Sequence, residues 1–411
     1  MAREASTTLA GVLTGSFDHH WVADLIYNGE RRLASVPLTD VAFAENGDAK
    51  VQQSGACTIV WTDEFGRSMS PLEISDAFAP FGAQLNVYSV ISAGPFLERV
   101  AYGIFEITKV PSAQDVHMPF RGDWITTGST IQLELKELLA GVDEETFDVP
   151  SAPSQLSSAW DEIAVLSGLQ LTRAVDDAAI PRSILYPEGK LDAIELLMRD
   201  VLEAYPHMTA DGTLSARPIE APASIDSIER DKTLVSVKSN MASTGLYNRV
   251  VIRSHGSGDE VAVLAVAEIT EGPLRVRNSD GSVSPFRSRT KHFSSEFVTT
   301  SGQAQPWADR ELEKASQLRG RMVDVVEIFN PLRERGDVVL VERPKIWLVC
   351  RVATIDRSAH ATQRLTCELL ATLPNTSGVP SAWEPPAEPT VDGAFFADDL
   401  FFADDLFFVE A

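Results

Sequence analysis

Cysteine is scarce: three residues in 411, Cys57, Cys350 and Cys367, far apart and without a C-x-x-C pair. That excludes a disulfide framework and a zinc ribbon. Cys350 and Cys367 sit among alternating apolar residues, the setting of thiols buried in strands. Long apolar runs are also missing. None approaches the ~20 residues of a bilayer-spanning helix. The start, Met1 to Ser6, leads into a polar stretch without the apolar segment of a signal peptide, so synthesis in a cytosol and no membrane anchor are expected. Positive charge is the third shortage. Lys and Arg number 35 against 59 acids, a net charge of −24. Proteins that grip duplex DNA displace counterions with Lys and Arg, and a chain this acidic repels it. The charge serves solubility in any case. It also suits a surface that DNA passes without sticking.

Catalytic signatures are absent too. The sequence holds no G-x-S-x-G, no H-E-x-x-H and no P-loop. Asp18-His19-His20 lacks a third ligand at metal-binding spacing, and a strand points adjacent histidines to opposite faces. Gly256-Ser257-Gly258 lacks the third glycine and the helix of a dinucleotide site and reads as a hairpin turn. Glu144-Glu145 reads as a solvated loop pair. No catalytic residue, cofactor or metal is therefore expected. Carboxylate pairs for glycoside hydrolysis leave no sequence signature. A carbohydrate-binding or wall-degrading β protein is the rival reading, and the missing signal peptide counts against it.

What is present is a chain of ordinary globular composition, long enough for two to four domains. Residues 1–147 read as strands. Trp21 to Tyr27 and Arg32 to Leu38 flank an Asn28-Gly29 hairpin turn. Ala56 to Trp61, a turn at Asp63 to Gly66, Leu85 to Ile91, Val100 to Val110 and Thr130 to Leu139 follow. Tyr102, Ile104, Glu106 and Thr108 alternate with Gly103, Phe105, Ile107 and Lys109, giving a mixed and an apolar face. Residues 148–224 open with a Pro/Ser linker and read as an α/β insert. One helix starts at Ser158 and stops at Gly168; another spans Lys190 to Ala204 and is ended by Pro206. Residues 225–374 are β-rich again, with helical spacing at Ala308, Leu312, Ala315 and Leu318 that starts near Pro306. An internal echo links the two β segments. Tyr102 to Lys109, a polar hairpin, then Leu133-Glu134-Leu135 is answered by Ile346 to Ile355, a polar turn, then Cys367-Glu368-Leu369.

Two further features stand out. Arg275, Arg277, Arg287, Arg289 and Lys291 oppose the acidic trend. They read either as a solvated hairpin around Asp280-Gly281 or as a contact with an acidic neighbouring copy. Residues 375–411 form a linker and a six-residue repeat, Phe-Phe-Ala-Asp-Asp-Leu. Phe395, Phe396, Phe401, Phe402, Phe407 and Phe408 cannot bury themselves in so short an acidic stretch, so the repeat is expected to dock on a partner.

The layout resembles the hub proteins of phage tail tips and baseplates, closest to the minor tail proteins of actinobacteriophages. The resemblance is carried by Trp160 to Leu166, Gly189 to Tyr205 with Asp211 to Leu214, Asn248 to Ile252 (an N-x-V-x-V strand), the Trp307 to Leu318 helix and Gly336 to Val339 (a G-D-x-V strand). It spans about Leu9 to Leu373. It implies a mainly β fold with an α/β insert, in which two tube-like small β-barrel domains flank a mixed α/β region. It implies a homotrimer at the virion tail tip, assembled in the host cytoplasm. Its pseudo-sixfold ring would join the distal tail ring to a downstream fibre or tip protein. The tape measure protein would be a partner, and DNA would pass through the channel unbound. A hub of a contractile injection system or gene transfer agent is equally compatible.

Overall fold

A computed structural model describes residues 5–384, apart from 48, 63–66, 183, 187, 220–221, 242–245, 255–262, 296–300, 318–320, 376–378 and 381–382. A short helix, α1 (Thr7–Leu13), is capped by the Ser6 hydroxyl. Six strands follow: β1 (Asp18–Tyr27), β2 (Glu30–Asn46), β3 (Gln53–Thr62), β4 (Ala83–Ala93), β5 (Phe96–Phe120) and β6 (Asp123–Glu137). Asn28 and Gly29 both have positive φ, 51° and 75°, as the tight β1–β2 hairpin turn requires. The strand order is β1-β4-β5-β6-β3-β2, and β2 pairs back onto β1. The ladder thus rings through six strands. Inside, the rings of Trp21, Phe43, Tyr102 and Phe105 lie 4.9–5.6 Å apart, centroid to centroid.

The α/β insert packs α3 (Ala159–Ser167) and α4 (Lys190–Asp200) on a three-stranded sheet of β7 (Leu171–Thr172), β8 (Ala204–Met208) and β9 (Leu214–Pro218). The Ser158 hydroxyl caps α3 and Gly168, at φ 64°, ends it. The second helix stops at Asp200, short of the expected Ala204. Glu203 turns the chain at φ 51°, and Pro206 lies inside β8, paired with Ala216. The insert's core recruits Leu138, Leu139 and Val142, around the short helix α2 (Leu139–Glu144), ahead of the Pro/Ser linker.

Next come β10 (Asp226–Ile228) and β11 (Leu234–Met241). A separate sheet of β12 (Arg249–Ser254), β13 (Val263–Glu268) and β14 (Thr290–Ser295) is covered by α5 (Ser301–Gln317) through Ala304 and Ala308. This helix begins ahead of Pro306, not near it. Four more strands complete the main sheet: β15 (Arg321–Ile328), β16 (Val338–Glu342), β17 (Ile346–Ser358) and β18 (Thr362–Pro374). Their order is β10-β16-β17-β18-β15-β11. Numbered within each unit, both six-strand sets read 1-4-5-6-3-2. The echoed segments occupy the fifth and sixth strands of each. The matching acids also face matching bases: Glu134 bonds Lys109 at 3.1 Å and Glu368 bonds Arg351 at 2.6 Å.

The architecture is mainly β with an α/β insert, but the two units are not free-standing closed barrels. Residues 42–45 of β2 pair with β3 on one side, and residues 42–46 pair with β17 on the other. A bulge at Asp40, φ 47°, bends β2 from β1 toward β17. One 12-stranded sheet results.

Candidate functional site

The loop Phe329–Asp337 between β15 and β16 touches all three parts of the molecule. Local hydrogen bonds shape it. Asn330 Oδ1 accepts from Leu332 N at 3.0 Å, and Asp337 Oδ2 accepts from Glu334 N at 2.7 Å. Gly336, at φ 86°, lets its N–H reach Val352 O at 2.8 Å. The G-D-x-V pattern is therefore a turn requirement.

From this loop Phe329 enters the core of the first unit. It stacks on His19 at 4.1 Å and meets the Trp21 ring edge-on at 5.6 Å. Arg333, buried, bonds Glu327 at 3.1 Å and Asp226 at 3.2 Å. Glu334 takes the guanidinium of Arg217 from β9. Arg335 donates to Gln52 and, at 3.3 Å, to Pro206 O of the insert. Arg357 of β17, buried, is gripped by Glu45 of β2, the Arg333 carbonyl and Gln363. Buried ion pairs add little net stability but tolerate one geometry only. Their chemistry here is positional: they fix how the two β units and the insert are oriented.

Burial shifts the protons of this junction. Desolvation pushes Glu137 up to about 7, against the hydrogen bond from Gln52 N and the charge of Arg335. Desolvation also pushes Asp337 up to about 6, opposed by the bond from Glu334 N and by Arg217. The guanidinium of Arg335 is lowered by desolvation and by Arg217. Asp226 is raised by desolvation, although Arg333 pulls the other way.

A second feature is an exposed ribbon. Beyond Val116, β5 and β6 pair only with each other among the described residues, up to the Arg121-Gly122 turn. Val116, Met118, Phe120 and Ile125 share one face, and Trp124, 72% exposed, lies on the other. A two-stranded ribbon without support is marginal in water. The segment was expected to be a polar hairpin. The period-two run Val116, Met118, Phe120 is the signal that marks it as apolar.

No family model and no curated protein matches the sequence. Solved structures do. The 43 kDa tail protein of prophage MuSo2 from Shewanella oneidensis matches with TM-score 0.53 and 12% identity, over 85% of this chain and 98% of that one. The tail protein from Neisseria meningitidis MC58 matches with TM-score 0.54 and 12% identity, over 85% and 96%. The chain has the fold of a prophage tail protein. At such identity the likeness is one of fold.

The residues singled out in the sequence fall on this tail-protein fold as follows. Asn248, the first residue of the N-x-V-x-V strand, is fully buried. Its side chain donates to Leu274 O and Arg287 O at 2.8 and 2.6 Å and accepts from Arg289 N at 2.8 Å. It clamps the loop that carries the basic cluster. In that loop Arg275 bonds Asn278 and Gly272 O and Arg289 covers the Phe286 ring at 4.3 Å, while on β14 Lys291 covers Phe293 at 4.6 Å. Arg277 bridges to Val283, and Arg287 is exposed. The cluster belongs to the β12–β14 unit, not to the main sheet. His19 is packed on Phe329, and its partner-free Nε2 is buried. All three cysteines are buried, with Cys57 and Cys350 pushed up to about 12 by desolvation. Among the described residues no group of three or more metal-ligating side chains converges, and no helix is long and apolar enough to cross a membrane. The Phe-Phe repeat and the turns at Asp63–Gly66 and Gly256–Gly258 lie outside the described residues.

Proposed function

We propose that this chain is a structural hub subunit of a phage tail tip, acting as a homotrimer. The observation that carries the reading is the repeated strand order, 1-4-5-6-3-2 in both units. Three chains supply six such units, enough to line a ring under a six-fold tail while keeping three-fold symmetry below. The Phe329–Asp337 loop suits this role, because a ring closes only if the angle between its units is fixed. The distal tail ring protein would sit above, the tape measure protein at the channel and a fibre or tip protein below. The exposed β5–β6 ribbon is the surface we assign to the neighbouring subunit. The net charge of −24 favours a channel that DNA slides through without binding. In this reading the protein works by assembly and needs neither catalysis nor a metal. Its place is the virion tail tip, after assembly in the host cytoplasm.

Light scattering at micromolar concentration tests this reading. A trimer is expected, either alone or once the neighbouring tail protein is added. A monomer under both conditions contradicts it.

A further inference from the structure

The two six-stranded units differ at one place. In the first, β1 has ten residues and pairs with β2, so the ladder returns to its start. In the second, β10 has three residues, and β10 and β11 do not pair. Among the described residues neither has a strand on its far edge. A slot of about 500 Å³ opens there, lined by Arg230, Leu234, Val235, Val237, Glu342 and Arg343. Such an edge presents free backbone donors and acceptors, and an exposed apolar residue such as Val235 makes it a template for another strand. The slot's lining carries two bases, Arg230 and Arg343, against one acid, Glu342, which accepts from Arg230 N at 2.8 Å. Arg343 reaches across the slot to Ser239 Oγ at 2.9 Å. Arg230, Lys238 and Arg343 form no ion pair among the described residues.

The chain itself leads to this gap. After β18, Asn375 bonds Lys345 O and Arg343 O. Trp383 then packs on the outer face formed by Val338, Leu340 and Trp347. Its N–H donates to Ser224 Oγ at 2.7 Å, and Ser224 N donates to Trp383 O at 2.9 Å. Ser224 lies just ahead of β10. The described chain therefore stops beside the open edge. Glu384 to Ala394 can extend about 36 Å, enough to bring the repeat alongside β11. In the repeat, residues six apart face the same way in a strand, and in a helix they scatter. Its acids, Asp398, Asp399, Asp404 and Asp405, are opposite in charge to Arg230 and Arg343.

We propose that Phe395–Phe408 docks in cis as an added strand along β11 and completes the second ladder where β1 completes the first. Its apolar rows enter the slot, and its aspartate pairs meet Arg230, Lys238 and Arg343. This holds whether or not the protein is a tail hub, and its test needs no assembly partner.

Hydrogen exchange of the full chain decides it. The comparison is a full-length variant carrying Phe395→Ser, Phe396→Ser, Phe401→Ser, Phe402→Ser, Phe407→Ser and Phe408→Ser together. In the unaltered chain, peptides covering Leu234–Met241 should be protected, equally at micromolar concentration and on dilution. In the variant they should exchange about tenfold faster or more, while β17 and β18 stay unchanged and so report an intact fold. Arg230→Glu with Arg343→Glu should give the same loss. Equal exchange of β11 in the chain and the Phe variant overturns the proposal. Protection that fades on dilution overturns it too, because it assigns the repeat to a second copy.

Discussion

Glu137 ends β6 at the junction of three parts, buried, with Oε1 accepting from Gln52 N at 2.6 Å and Oε2 without a partner. Its folded value of about 7 lies above the ordinary 4.5. The native state therefore holds the proton more tightly than the unfolded chain. The stability this confers is complete below about pH 4.5 and is lost as pH rises through about 7. Glu137→Gln keeps the neutral form at every pH. Thermal unfolding should show the variant gaining on the parent as pH rises from about 4.5 to 7, and a difference independent of pH would contradict this. Asn248 makes the opposite kind of contribution. Removing its amide takes the partner from two part-buried carbonyls and one N–H, and a group left unsatisfied costs up to about 1–3 kcal/mol. Asn248→Ala should destabilise the β12–β14 unit by roughly 2–5 kcal/mol in denaturant titration, and a loss below about 0.5 kcal/mol would contradict the clamp. Asn248 was visible in the sequence as a motif position. Glu137 was not, because burial and the approach of Arg335 come from chain segments nearly two hundred residues apart.

Among the elements, hairpins and strands were the most readable. Asn28-Gly29 placed the first turn, and the echoed segments marked the fifth and sixth strands of both units. Alternation failed where the ladder slips. Tyr102 and Phe105 are out of phase in a regular strand, yet both are buried. The β4–β5 register shifts there, Val87 pairing with Gly103 and Tyr88 with Ala101, so Tyr102 is the extra residue of a bulge. Helix ends were set by tertiary pairing that local sequence does not encode, as at Glu203. In the sequence, the loop Phe329–Asp337 is marked only at its end, by the Gly336-Asp337 start of the G-D-x-V pattern. Only the fold brings Phe329 into the first core. Phe329→Ala should cost about 3–5 kcal/mol and loosen both units together. Unfolding in two separate steps with the first unit unaffected would contradict the coupling. The β5–β6 ribbon makes its own prediction. Met118→Ser, Phe120→Ser and Trp124→Ser together should leave the monomer's melting temperature within a few degrees, yet prevent assembly, as read by light scattering. An unchanged oligomer would free the ribbon of that role.

For the whole molecule, the acidic balance and the two related β segments were legible from composition and order. The continuous sheet was not, because β2–β17 pairing joins residues about three hundred apart through backbone groups that carry no sequence signature. If the channel is acidic, duplex DNA should bind more weakly than micromolar at physiological salt, and submicromolar binding would contradict it. On the proposed reading, two units of one strand order, held at a fixed angle, build a six-unit ring from three chains. Negative-stain class averages of the purified chain, with its neighbouring tail protein if needed, test this most directly. Rings with three-fold symmetry, six β lobes and an open centre are the expected result. Monomers, or closed particles of another symmetry without a central opening, would contradict it.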